Sequence, residues 1–166
     1  MADLGLFDLS GRTALITGSS QGIGYALAEG LARAGASLVL NGRDATKLAD
    51  AAARLEQTGA TIHQLAFDVT DHGAARAAID AFEASTGAID ICINNAGMQH
   101  RAPLEDFPPD AFERLMRTNV SSVFNVGQAV ARHMIGRSRG KIINIASVQT
   151  ALARPSIAPY TATKGA

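Results

Sequence analysis

Thr13-Ala14-Leu15-Ile16-Thr17-Gly18-Ser19-Ser20-Gln21-Gly22-Ile23-Gly24 passes from an apolar run through a glycine-rich loop into a helical stretch. Thr13 to Thr17 reads as a buried strand, and Ile23 to Ala34, closing near Gly35, as a helix. Glycines at the join let the backbone approach a pyrophosphate, and the first turn of the helix adds free amides and a partial positive charge. The spacing is Gly-x-x-x-Gly-x-Gly, not the Gly-x-Gly-x-x-Gly of the general dinucleotide fingerprint. A tight turn without a ligand is the other reading of such a loop, but between a strand and a helix the nucleotide reading is favoured. Gly18, Ser20, Gln21, Gly22, Ile23 and Gly24 are the candidate contacts.

Outward from that loop, short apolar runs alternate with Ala-rich helical stretches. Strands are expected at Ser37 to Leu40, His63 to Phe67, Ile89 to Ile93 and Lys141 to Ala146. Helices are expected from an Asp44 N-cap to about Gln57, with Gly59 beyond, from Asp71 to Ser85, and from Asp110 to about Ile135. Pro159 suits the first position of a last helix. Alternation of this kind predicts an α/β fold with a parallel sheet buried on both faces, as one domain over residues 1–166. Ligands of such sheets bind beyond the carboxyl ends of the strands.

Composition sets the outer bounds. The 166 residues carry 15 lysines and arginines against 15 acids, and nothing points to a nucleic-acid or membrane partner. The single cysteine, Cys92, sits in an apolar strand and fits a reducing compartment. No charged-then-apolar leader opens the sequence, and no apolar run approaches the roughly 20 residues that span a bilayer, so the cytoplasm is the expected location. The histidines His63, His72, His100 and His133 show no metal spacing and are read as non-ligands.

Every remaining motif falls at a strand end or on a helix beside one. After the second strand, Asn41-Gly42-Arg43 puts Gly42 where an NAD site usually has an acid, and Arg43 offers a fork for a 2′-phosphate. Asp44 is the rival acid, better explained as a cap. NADP is therefore the expected cofactor, with NAD as the alternative, unless Arg43 is simply solvated. Asp68 can accept from an adenine amino group or cap a turn, and Val69 can pack on the ring. In Asn94-Asn95-Ala96-Gly97, small residues allow a flat ligand close approach; Asn94 is read as largely structural, while Asn95, Ala96 and Gly97 are cofactor candidates. Asn119 is a poor residue for the middle of a helix, so it is either a surface residue or one that distorts the helix and holds a water. Ser147 follows the fifth strand, where a serine is ordinarily a turn residue but can donate to a substrate oxygen. Tyr160 and Lys164 share one helix face, and an ammonium beside a phenol lowers the phenol pKa from about 10 toward neutrality, which makes a general acid/base.

The glycine loop, Asn-Asn-Ala-Gly, Asn119, Ser147 and Tyr-x-x-x-Lys together, in this order, resemble the short-chain dehydrogenase/reductase family over the whole chain. The resemblance implies a Rossmann-type doubly wound sheet, a nicotinamide cofactor and hydride transfer between a secondary alcohol and a ketone. Tyr160 would then be the acid/base, with Lys164 on the ribose hydroxyls and lowering the tyrosine pKa. Ser147 would orient the carbonyl and Asn119 would hold a relay water. Within the family, Asn95-Ala96-Gly97-Met98-Gln99-His100-Arg101, Ser147-Val148-Gln149 and Leu6-Phe7-Asp8-Leu9 are similar to the gluconate 5-dehydrogenase group, which implies D-gluconate and 5-keto-D-gluconate as substrates. Arg101 would hold the carboxylate and Gln149 a polyol hydroxyl, unless Arg101 is a solvated loop residue. Family members continue past Tyr-x-x-x-Lys and commonly pair subunits, so a C-terminally truncated chain, a sheet incomplete on that side and a homo-oligomeric full-length form are expected. A fifth strand left at an open edge invites pairing, and a final helix of about eight residues frays. The alternatives are an inactive truncated nucleotide-binding fragment and a reductase for another carbonyl substrate.

Overall fold

The computed structural model describes residues 5–152 and 154–166. Its centre is a parallel sheet of five strands in the order β3-β2-β1-β4-β5. The strands are β1 (Thr13–Ile16), β2 (Ser37–Gly42), β3 (Ile62–Ala66), β4 (Ile91–Asn94) and β5 (Lys141–Asn144). The helices are α1 (Gly22–Arg33), α2 (Ala45–Glu56), α3 (His72–Ser85), α4 (Pro109–Met116), α5 (Ser122–Gly136) and α6 (Ala158–Gly165). Short 3-10 turns stand at Gly5–Phe7 and Val148–Thr150. The expected α/β parallel sheet is therefore observed. Chain order reverses between β1 and β4, and that switch opens a crevice at the carboxyl ends of both strands.

The strand period of two sorts the core into two layers. Leu15, Val39 and Cys92 point to one face, where Ile79, Phe82, Val126 and Val130 of α3 and α5 cover them. Ala14, Ile16, Leu38, Leu40 and Ile93 point to the other, under Ala28, Leu48 and Leu55 of α1 and α2. Each fully buried Leu or Ile contributes roughly 1.5–3 kcal/mol, so both layers matter to stability. No helix among the described residues is long and apolar enough to cross a membrane.

Several boundaries differ from the sequence expectation: β3 is Ile62–Ala66, β5 ends at Asn144 rather than Ala146, and three further differences bear on the site. β2 runs on to Gly42 because Asn41 and Gly42 pair with Leu65 and Ala66 of β3. β4 starts at Ile91, although Asp90 already bonds along the main chain, its N–H donating to Thr13 O and its carbonyl accepting from Lys141 N–H, both at 2.9 Å; side chains add to this at Ile89 and Asp90. Ile89 N–H donates to Glu83, and the Asp90 carboxylate accepts from Thr13 N–H at 3.1 Å and meets Arg139 at 2.6 Å. The single long helix is interrupted by a π-helical segment at Arg117–Ser121, which contains Asn119. Such a segment inside an α-helix is frequent at functional sites. β5 forms the sheet edge, with Ile142 and Ile143 at 41% and 46% exposure, as the open-edge expectation requires.

Cys92 is fully buried, and burial pushes its thiol up to about 12. A thiol held neutral and inaccessible is a poor nucleophile. An aromatic disulfide reagent is expected to label Cys92 only at the rate of unfolding. Labelling of the native protein within minutes would show that this layer of the core opens locally.

Candidate active site

The first turn of α1 shapes the site. Asp44 caps α2 by accepting from Lys47 N–H, and Asp71 caps α3 by accepting from Ala74 N–H. α1 has no such cap: Gln21 makes no capping hydrogen bond, and the first bond of that turn runs from Tyr25 N–H to Gln21 O. Of α1, α2 and α3, the helix whose end opens on the crevice is thus the one with no side-chain cap, leaving amides for an anion to satisfy. Gly18 and Gly22 have φ of 64° and 60°, which an L side chain rarely adopts. Gly24 is needed for space: a Cβ there would stand 2.4 Å from Gly18 O and 2.5 Å from Asn95 Nδ2. Exposed Ile23 lies at the mouth of the same loop.

Polar side chains tie the neighbouring strand ends together. Thr17 Oγ1 accepts from Asn95 N–H and Ala96 N–H, both at 3.0 Å. Asn95 Nδ2 donates back to Thr17 O and Gly18 O at 2.9 and 3.2 Å. Asn41 is buried, its amide on Leu65 O and Phe67 O, while its backbone N–H donates to Ser19 Oγ. Asn94 donates to the Asn144 side chain of β5. Asn94 is structural, as expected, and Asn95 fixes the loop while also lining the cleft.

Above these ends lies a cleft of about 820 Å³. It gathers the whole glycine loop, Arg43, Asp68, Val69, Asn95, Ala96 and Gly97. These are the sequence-predicted cofactor positions other than Tyr160 and Lys164. Arg43 Nη1 lies 3.5 Å from Asp68 Oδ2, so the fork at the end of β2 leans toward β3. Burial pushes the Asp68 carboxyl up, but hydrogen bonds from Thr70 N–H and hydroxyl, with the Arg43 charge, outweigh it and hold the group below the usual carboxylate range. Lys47, Arg114, Arg117 and Thr118 line the cleft as well. Sequence reasoning missed them because they sit on helix surfaces, where a charged residue carries no positional signal. The cap Asp44 and Lys47 form a 3.7 Å ion pair at the same rim.

The proton-transfer candidates gather at the far end, next to Gly97 and Met98. Lys164 Nζ donates to Ile145 O at 2.6 Å and lies 3.8 Å from where a Cβ on Gly97 would stand. Burial holds the Lys164 ammonium below the usual lysine range. Tyr160 is half-buried one turn earlier on α6. Asn119 is buried, as a surface residue would not be, and its amide is committed: Oδ1 accepts from Met98 N–H at 2.8 Å, and Nδ2 donates to Met98 O at 2.9 Å and to Thr163 Oγ1 at 3.0 Å. For a water, only the second lone pair of Oδ1 and the main chain of the π-turn remain.

Ser147 begins the 3-10 turn, its Oγ accepting from Gln149 N–H at 3.2 Å, while its own proton has no acceptor among the described residues. The turn reading of Ser147 is observed, and it leaves the hydroxyl able to donate. The Oε1 of Gln149 is buried and has no hydrogen-bond partner among the described residues. Arg101 is exposed, and neither it nor Gln149 lines the large cleft. All four histidines are engaged elsewhere: His63 edge-on to Phe82, His100 edge-on to Phe107, His72 with Gln128 and His133 with Asp80.

The sequence model described as short chain dehydrogenase matches residues 12–166. Gluconate 5-dehydrogenase of Gluconobacter oxydans is 60% identical over 161 residues, which are 97% of this chain and 63% of that protein. The 5-keto-D-gluconate 5-reductase of Escherichia coli K12 is 44% identical over the same shares. The crystal structure of a gluconate 5-dehydrogenase from Burkholderia cenocepacia in complex with NADP and tartrate superimposes with a TM-score of 0.93 at 60% identity, covering 96% of this chain and 62% of that one. The chain thus spans a little under two thirds of the length of these relatives. With an unbroken family match, a parallel sheet in this strand order and the motif residues at its carboxyl edge, the chain belongs to the short-chain dehydrogenase family.

Proposed function

We propose that the protein is an NADP-dependent oxidoreductase that interconverts D-gluconate and 5-keto-D-gluconate. The observation that carries the cofactor assignment is the uncapped, glycine-cradled start of α1 with Arg43 at the adjoining strand end. The fit is specific. A Cβ on Gly24 would close the cradle, and at the end of β2, where an acid would select NAD, stands Gly42. The α1 amides would hold the pyrophosphate, Arg43 the 2′-phosphate, and Val69 and Asp68 the adenine. Two of the relatives name one or the other of these substrates, and the Burkholderia protein is in complex with NADP and tartrate.

The bound nicotinamide supplies or accepts the hydride. The chain's own groups handle the proton and the pose. The Tyr160 hydroxyl gives its proton to the substrate oxygen during reduction and takes one during oxidation. Lys164 favours the phenolate and meets the ribose hydroxyls, a role supported by its desolvation and by its bond to Ile145 O at the cleft end. The free Ser147 proton points the carbonyl. The unpaired Gln149 Oε1 offers an acceptor to a substrate hydroxyl, and Arg101 is a cation for the C1 carboxylate.

The test is consumption of NADPH with 5-keto-D-gluconate and its formation with D-gluconate. Reduction of simple ketones but not of 5-keto-D-gluconate would refute the substrate assignment. Binding of NADPH with no turnover would favour the nucleotide-binding fragment, a reading to which the exposed β5 edge lends weight. Arg43→Ala is expected to weaken NADPH binding about 10- to 100-fold, the worth of one charge-assisted hydrogen bond, and to leave NADH binding nearly unchanged. Fluorescence titration of both nucleotides decides it: an unaltered preference removes the 2′-phosphate role from Arg43.

A further inference from the structure

We propose that Thr163 is a positioning residue for the Tyr160–Lys164 pair, pinning α6 to the π-turn and to the loop after β4. Thr163 is 4% exposed on α6, with its hydroxyl inside the fold. Its hydroxyl accepts from Asn119 Nδ2 at 3.0 Å and donates to Tyr160 O at 2.8 Å. The polarity of this chain of bonds is fixed. A hydroxyl has one proton, and here it goes to the Tyr160 carbonyl, so the oxygen must receive the asparagine N–H. That in turn sets the amide orientation, which agrees with Oδ1 accepting from Met98 N–H and Nδ2 donating to Met98 O.

One amide therefore joins three segments: the loop that ends the cleft, the π-turn and the helix that carries both proton-transfer residues. The π-turn fits this role, because an extra residue in the turn displaces Asn119 from ordinary helical register and buries it at 5% exposure. Lys164 directly follows the pin and reaches Ile145 O across the same junction. Without the hydroxyl, α6 keeps its apolar packing through Ile157 and Pro159 but loses the bond that fixes its rotation about its own axis.

The kinetic part of this proposal rests on the function proposed above; the structural part does not, so the test has two arms. In the enzyme, Thr163→Val keeps the shape and removes the hydroxyl. Amide hydrogen exchange in residues 159–165 is expected to quicken about 5- to 10-fold, the worth of one lost hydrogen bond, with β1 to β4 unchanged. With NADPH and 5-keto-D-gluconate, kcat is expected to fall about 10- to 100-fold, because small displacements of reacting groups are costly, while the dissociation constant of NADPH stays within about twofold. Thr163→Ser, which restores the hydroxyl, is expected to recover both readouts. Unchanged exchange in Thr163→Val overturns the pin. So does faster exchange with unchanged kcat, or a serine variant that rescues neither. If the parent enzyme leaves 5-keto-D-gluconate untouched, the function assignment fails while the exchange arm still decides the pin.

Discussion

Tyr160→Phe is expected to lower kcat for 5-keto-D-gluconate about 100- to 10,000-fold, the range of a lost general acid, while NADPH binds about as before. The variant keeps the ring, so the half-buried packing of α6 survives, and the phenolic hydroxyl is absent from every hydrogen bond that holds the helix. On the proposed mechanism, what disappears is the proton delivered as the carbonyl oxygen gains charge. KM for the keto acid should change much less than kcat, since this interaction belongs to the transition state. Lys164→Met should mimic the rate loss and also weaken the nucleotide, because that side chain reaches toward Gly97 at the cleft end and is proposed to support the phenol. A Tyr160→Phe enzyme within tenfold of its parent would show that the proton comes from elsewhere, and Ser147, with its uncommitted proton, would be the next group to remove. Stopped-flow titration of NADPH beside steady-state rates separates these outcomes.

The sheet and its cleft were legible in the sequence for a physical reason. Strands buried on both faces must be apolar throughout, helices between them must be long enough to cross over, and β1, β2 and α2 show both properties within a few residues of where they lie. The glycines spoke for themselves, since Gly18 and Gly24 stand where a side chain is excluded by conformation or by space. Less legible were features set by distant partners. Asp90 reads as a strand residue and does bond along the main chain, but the partners of its carboxylate, Thr13 N–H and Arg139, lie far off in the chain. Asn119 betrayed a distortion because asparagine is ill suited to a helix middle. That its amide would be used by Met98 and Thr163, leaving little for a water, depends on a 44-residue separation that no local pattern encodes. Lys47 and Arg117 line the cleft as ordinary surface cations and carry no mark of it. The site is thus readable where it demands backbone conformations and opaque where it depends on side-chain bonds across the fold.

Gly24→Ala should do the most damage to nucleotide binding. The added methyl would stand 2.4 Å from the Gly18 carbonyl oxygen and 2.5 Å from Asn95 Nδ2, and neither can yield cheaply. Gly18 is held by its neighbour Thr17, which bridges to Asn95 and Ala96, and Asn95 Nδ2 is the donor to Thr17 O and Gly18 O. Relief therefore requires moving the first turn of α1 off the ends of β1 and β4, the surface proposed above for the pyrophosphate. Overpacking of this kind costs roughly 1–3 kcal/mol of stability. Loss of the aligned amides should weaken NADPH at least about 100-fold, since each charge-assisted bond is worth roughly 1.5–3 kcal/mol and several are displaced together. Gly30→Ala is the internal control, because a methyl there meets nothing within 4 Å and lies on the same helix, where alanine is the better helix former. It should match or exceed the parent in thermal stability and bind NADPH normally. Urea unfolding and nucleotide titration of the pair test the argument together: a Gly24→Ala protein that binds NADPH within threefold of the parent would mean that the α1 amides are not the pyrophosphate site, and the cofactor assignment would fall with them.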